Sequence, residues 1–164
     1  MMMRGLALGR KLGDIYGPVD LNNPNFTFRH GLVENDVRVS FKGSGAYELP
    51  YAFRLSGSYQ HYSGFPENTT VLVNAATVAL TQVSQSILVE PRGTTRLSSV
   101  GLTDLSFRRT FKFGRLKAEP ILDAYNVFNA SPTTARTTQL GPAYGRVVTI
   151  VRGRLVKLAL DVDW

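Results

Sequence analysis

The sequence closes on "LVKLALDVDW", residues 155–164, and the alternation within that stretch decides the fold. Val156, Leu158, Leu160, Val162 and Trp164 are bulky and apolar, whereas Lys157, Ala159, Asp161 and Asp163 are small or charged. Successive side chains of a strand point to opposite faces, so a period of two predicts one apolar face and one wet face. What covers the apolar face then decides what the chain does.

The same period recurs upstream. In "VENDVRVSFKGSGAYEL", residues 33–49, Val37, Val39, Phe41, Gly43, Gly45, Tyr47 and Leu49 oppose Asp36, Arg38, Ser40, Lys42, Ser44 and Glu48. Beyond Pro50, "YAFRLSGSYQHY" sets Tyr51, Phe53, Leu55, Gly57 and Tyr59 against Arg54, Ser56, Ser58 and Gln60. "GLTDLSFRRTFKF" sets Leu105, Phe107, Phe111 and Phe113 against Asp104, Ser106, Arg108, Thr110 and Lys112, with Arg109 as a charge on the apolar side. In "LKAEPILDAYNVF", Leu116, Ala118, Pro120, Leu122, Ala124 and Phe128 face away from Lys117, Glu119, Asp123 and Tyr125. Pro120 has no N–H for a ladder, which predicts a bulge or weakened pairing there.

Helix-spaced apolar patterns are scarce, so the class is all-β. The pattern predicts an antiparallel up-and-down meander with strands over residues 33–49, 51–63, 100–113, 115–128 and 147–164. Residues 1–32 read as an upstream strand remnant and an outer loop, and 64–99 as a long outer loop. Within it, "TVLVN" and "QSILVE" form a hairpin or extend the flanking strands. These strands run to about 12–16 residues, whereas soluble domains favour about five or six. A membrane-crossing strand needs about 9–11.

The links divide by length. "ELPY" and "FGR" are tight, while 17–32, 64–99 and 129–146 are long and rich in Gly, Pro, Asn and Thr. Short turns at one end and long loops at the other, with aromatics at the interfaces, is the layout of a transmembrane β-barrel. Tyr47, Tyr51, Phe113 and Trp164 fall near the short-turn ends and are the expected interfacial aromatics. Gly43, Gly45 and Gly57 would leave holes in a packed core but are harmless against fluid lipid. Arg109 opposes this reading, since Arg at the bilayer midplane costs about 2–4 kcal/mol, but close to a turn its side chain can snorkel.

Composition adds bounds. The chain has 164 residues, a formal net charge of +7 and no cysteine, which excludes disulfides and thiolate metal sites. Basic residues are scattered, so the charge alone makes neither a nucleic-acid site nor a membrane patch. The aromatics lie on apolar faces instead of interleaving with basic residues, so no nucleic-acid partner is expected. No run of about 18 apolar residues would make a transmembrane helix. The N-terminus lacks a signal-peptide pattern. No catalytic, metal or cofactor constellation is evident, and His30 and His61 lack acidic partners at ligand spacing. Arg92, Arg96, Arg136 and Arg146 fall in outer loops, either solvated or able to meet lipopolysaccharide phosphates or an anionic substrate.

Three stretches carry a resemblance: "YNVFN" at 125–129, "GPAYGR" at 141–146 and "RLVKLAL" running into a terminal aromatic. With "GAYELPYAFRLSGSYQHYSGFP", "ILVEPRGTTRL" and "DLSFRRTFKF" upstream in the same order, residues 20–164 resemble the C-terminal barrel portion of TonB-dependent outer-membrane receptors. The resemblance extends especially to the group with a carboxypeptidase-regulatory-like N-terminal domain. That resemblance implies a Gram-negative outer-membrane location, outer-membrane lipid and lipopolysaccharide as surroundings, and nutrient uptake as the parent's function. It also implies the remaining barrel, a plug and TonB as partners. On this reading the chain is a fragment, not transport-competent alone and not an enzyme. Val156, Leu158, Leu160, Val162 and Trp164 resemble the C-terminal signal recognised by the barrel-insertion machinery. Two alternatives stay open: a small complete outer-membrane barrel with a structural or adhesive role, and a soluble lipocalin-like lipid-binding β-protein.

Overall fold

Alternating side chains and abundant Val, Tyr, Phe and Thr leave the backbone little alternative to extended pairing. In the computed structural model the described residues are 3–8, 12–14, 28, 30–80 and 83–164. The chain begins with β1 (Met3–Leu8), β2 (Leu12–Asp14), β3 (His30–Leu32), β4 (Val39–Leu49) and β5 (Phe53–Tyr62). The long link that follows holds β6 (Pro66–Glu67), β7 (Thr70–Asn74), β8 (Ser84–Leu88) and β9 (Thr95–Arg96). Then come β10 (Val100–Arg109), β11 (Phe111–Phe113), β12 (Leu116–Tyr125), β13 (Thr133–Arg136), β14 (Val147–Ile150) and β15 (Leu155–Asp163). Most of the expected loop over 17–32 lies outside the described residues.

The fold is all-β and antiparallel. A seven-stranded sheet runs β1-β4-β5-β10-β12-β15, with β11 continuing β10 along the same side of β12. It is a meander: each long strand pairs with its predecessor among the long strands, and β5 pairs directly with β10 across the whole 64–99 link. Among the described residues no strand of that link enters the sheet. Within it β7 pairs β8 as a hairpin and β6 pairs β9. Among the described residues β1 and β15 each have one neighbour, so the sheet is open with two free edges.

The link lengths segregate as expected. β4 passes to β5 through a 3-10 turn at Pro50–Ala52, where Tyr51 and Ala52 take φ of 63° and 60°. β11 passes to β12 through Gly114, whose φ of +63° suits a residue without a side chain. Both turns lie at one end of the sheet, and the links before β4, β10 and β15 lie at the other.

Strand ends differ from the sequence expectation. β4 starts at Val39, not at residue 33, because Asp36 leaves the alternating pattern and is fully buried in an ion pair. The last expected strand is two: β14 pairs with β13 in an outer hairpin, and β15 alone joins the sheet. The long strands therefore measure 9–11 residues each. At Pro120 the pairing opens without a bulge. β10 pairs β12 up to Arg108↔Ile121, the ladder resumes at Phe111↔Ala118, and that unchanged register sets Arg109 opposite Pro120. A missing donor weakens the ladder there and inserts no residue.

Candidate functional site

The register gathers the alternating residues into two opposed surfaces. On one lie, across neighbouring strands, Gly45, Gly57, Leu105, Ala124 and Val156, then Tyr47, Leu55, Phe107, Leu122 and Leu158. Further toward the short turns come Leu49, Phe53, Arg109 and Leu160, followed by Phe111, Ala118 and Val162. Among the described residues nothing packs on this surface: Leu158 is 80% exposed and Trp164 91%. A Cβ added at Gly45 would meet no atom within 4 Å, and Leu105 leans over Gly57.

The apolar residues that are buried among the described residues, Leu32, Leu88 and Val100, sit at or beyond the long-link end. Among the described residues the sheet itself therefore has no core on either face. Fully burying a Val, Leu or Phe side chain contributes about 1.5–3 kcal/mol. Leaving Val156, Leu158, Leu160, Val162 and Trp164 bare on β15 alone forgoes an amount on the order of a whole domain's stability, about 5–15 kcal/mol. A surface of this size requires an apolar cover.

Tyr47, Tyr51, Phe113 and Trp164 all sit at the short-turn end and are exposed, Tyr51 to 83%. They make a broad aromatic zone toward that end of the sheet. Beside it lies Arg109, whose guanidinium is 4.5 Å from the centroid of Phe53 and 4.5 Å from that of Phe111. Phe53 in turn stacks on Phe107, centroids 5.2 Å apart. The charge expected to disrupt the apolar face is thus held by ring quadrupoles, each contact worth about 0.5–1 kcal/mol when exposed.

The opposite surface is mostly polar and several of its charges pair across strands. Arg54 meets Glu48 at 3.3 Å, Arg108 meets Glu119 at 3.3 Å and Lys117 meets Asp163 at 3.5 Å. Thr110 Oγ1 donates to Glu119 Oε2 at 2.8 Å. Nearer the middle, Ser44, Ser56, Ser58, Ser106, Asp104 and Asp123 line a shallow recess of about 340 Å³. Ser58 Oγ donates weakly to Asp104 Oδ2 at 3.5 Å. Small hydroxyls and charged groups dominate this side, with Ala46, Leu102, Ile121 and Ala159 as its apolar members.

The long links are ordered by ion pairs that sequence reasoning missed. Arg96 is bound to the buried Asp36 carboxylate and donates from Nη1 to the carbonyls of Asp36 and Gly64 at 3.1 and 3.0 Å. Arg136 grips Glu67 bidentately, with Nε 2.7 and 2.8 Å from the two carboxylate oxygens. Those hydrogen bonds to Glu67 raise the Arg136 pKa above the usual arginine value against the opposing effect of burial. Arg92 reaches Glu34 at 3.5 Å. These three arginines each engage a carboxylate and tie the links together, Arg96 most deeply, while the Arg136 side chain stays 36% exposed. Arg146 stays exposed on the 141–146 segment.

The "YNVFN" segment is a clasp. Asn126 and Asn129 take φ of 50° and 53°. Asn126 Nδ2 donates to the carbonyls of Ala130 and Arg152 at 2.8 Å each, and its Oδ1 accepts from the Ala130 N–H at 2.8 Å. Asn129 Oδ1 accepts from the Arg154 N–H at 2.9 Å. The two amides tie the exit of β12 to the approach to β15.

Among the described residues no three His, Cys, Asp or Glu side chains converge on a metal position, and no helix is long and apolar enough to cross a membrane. His61 lies opposite Phe41 and Gly101 on the apolar side, near the long-link end. The His30 side chain lies outside the described residues. The chain matches no protein-family model, no curated protein and no solved structure.

Proposed function

We propose that this sheet is part of the wall of an outer-membrane β-barrel, its apolar face against lipid and its polar face toward a watery lumen. The observation that carries the reading is the bare apolar face of an open antiparallel sheet, with an aromatic zone toward the short-turn end. A soluble sandwich or lipocalin-like barrel turns such a face inward and packs it. Here the buried apolar side chains gather at the loops instead. An open sheet in lipid cannot leave its edge N–H and C=O groups unpaired, so in a bilayer the free edges of β1 and β15 pair with further strands of a parent barrel or, for the isolated chain, with the edges of other copies.

The parent we propose is a TonB-dependent nutrient receptor, on the likeness of residues 125–129, 141–146 and 154–164 to the end of such barrels. In that setting the role of this segment is structural. It supplies lipid-facing wall, a polar lumen lining and a clamped cluster of long loops on the outer side.

The reading is tested by fluorescence of Trp164, the single tryptophan. Refolded with vesicles of phosphatidylcholine brominated on its acyl chains, the chain should show strong quenching and gain β-structure by circular dichroism only when lipid is present. A monomeric, cooperatively folded chain in detergent-free buffer would sink the membrane reading and leave a soluble lipid-binding protein. Heat-modifiable migration of a closed, isolated chain would favour a small complete barrel over the receptor assignment.

A further inference from the structure

We infer that Arg109, held between Phe53 and Phe111 on the apolar face, is a binding site for the phosphate of an anionic phospholipid headgroup. This inference rests on the membrane reading above. It deepens that reading by naming a specific lipid contact.

The geometry starts from the two rings. Each centroid is 4.5 Å from the guanidinium carbon, so aromatic faces occupy part of the shell in which water would otherwise stack. Ring contacts engage the guanidinium through its charge and π-surface, and leave its in-plane N–H groups in need of acceptors. Among the described residues no carboxylate lies within ion-pairing distance of Arg109, and no side-chain or carbonyl oxygen accepts from it. Arg54 and Arg108, its neighbours on the polar face, by contrast each have a glutamate. Arg109 is thus a partly desolvated planar fork with no internal anion.

Its position selects the occupant. Arg109 pairs directly with Phe53, the first residue after the Pro50–Ala52 turn, and shares its level with Leu49 and Leu160. Exposed Tyr51, Phe113 and Trp164 stand just beyond it toward the turns. Interfacial aromatics mark the headgroup level of a bilayer, where phosphates lie. The fork matches two phosphate oxygens bidentately, which a choline or ethanolamine cation partly offsets and a phosphatidylglycerol headgroup does not. The site is therefore expected to prefer phosphatidylglycerol over phosphatidylcholine.

The test reconstitutes the full chain in vesicles of equal parts phosphatidylcholine and phosphatidylglycerol, extracts it gently and counts retained lipids by native mass spectrometry. The wild type should retain phosphatidylglycerol in excess over the bulk ratio. Arg109→Leu, which suits the apolar face, should lower that excess by about fivefold, the equivalent of one interfacial basic residue. Arg109→Lys keeps the charge without the fork and should lose part of it, and this variant decides the matter if Arg109→Leu does not insert. Lys112→Gln, three residues on but on the polar face, should change nothing. Equal retention in wild type, Arg109→Leu and Arg109→Lys, with all three inserted, would overturn the inference and leave the membrane reading intact. So would an equal loss in Lys112→Gln, which would mark general charge attraction, or displacement of the lipid by inorganic phosphate, which would mark a free-phosphate site. Failure of the wild type to insert would overturn both.

Discussion

Asn126 and Gly64 are two residues at which a change of a few atoms is costly. Asn126 is buried, sits in the left-handed region that a short amide tolerates, and makes hydrogen bonds to Ala130 and Arg152. Asn126→Ala should destabilise by about 1–3 kcal/mol, because the carbonyls and N–H it serves are left without partners. Asn126→Gly relieves the backbone but not the lost bonds, so it should recover only part. Urea unfolding in detergent micelles, followed by circular dichroism, checks both, and equal midpoints for wild type and Asn126→Ala would remove the clasp. At Gly64 the constraint is steric: a Cβ would stand 1.8 Å from the carbonyl oxygen of Leu97. Backbone must move to admit it, so Gly64→Ala should cost at least the 1–3 kcal/mol or so of overpacking and expose the 64–99 link to protease. The asparagine pair was visible in the sequence as a motif. Its meaning as a backbone tie was not, because its acceptor at Arg152 lies across the 126–154 link.

At the scale of elements, the long strands were legible because period two is imposed by the backbone itself, and any residue on the wrong side would face the wrong medium. Strand ends were less so. "VENDVR" and "VVTIVRG" continue the alternation, yet the first gives up Asp36 to Arg96 and the second pairs Val147–Ile150 with Thr133–Arg136. Periodicity states that a segment is extended and does not state its partner. The ion pairs of the links were invisible for a related reason: Asp36 and Arg96 are 60 residues apart, Glu67 and Arg136 69 apart. The Asp36–Arg96 pair predicts a particular pattern of cost. Arg96→Met leaves the Asp36 carboxylate buried without its guanidinium and should destabilise the links by about 3–5 kcal/mol, whereas Asp36→Leu with Arg96→Met should cost less than the single change. Limited proteolysis of the links, calibrated by a double-mutant cycle, reads this out. If the double variant is as damaged as the sum of the singles, the pair is not coupled.

For the whole molecule, the two faces of one sheet make opposite demands, and a single substitution can ask which medium each face meets. Leu105 lies mid-strand on β10, beside Gly57 and Ala124 and far from both turns, and it is 41% exposed. If water covers that face, Leu105→Arg replaces a half-exposed apolar side chain with a soluble one, and stability should change by no more than about 0.5 kcal/mol. If lipid covers it, the same substitution places a guanidinium near the bilayer midplane, at a cost of about 2–4 kcal/mol. Arg109 is no precedent for tolerance there, since it sits at the turn level with two aromatic rings against it. On the polar face water is the medium under either reading, so Ser106→Leu, in the serine-lined recess, should leave folding near wild type and serves as the control. Reversible unfolding from phosphatidylcholine vesicles in a urea series gives both differences in one experiment. A cost of 2 kcal/mol or more for Leu105→Arg, beside a near-neutral Ser106→Leu, is the expected pattern for a lipid-covered apolar face, with the magnitude on the order of the midplane penalty. Two near-neutral variants would place water on both sides of the sheet and sink the membrane reading.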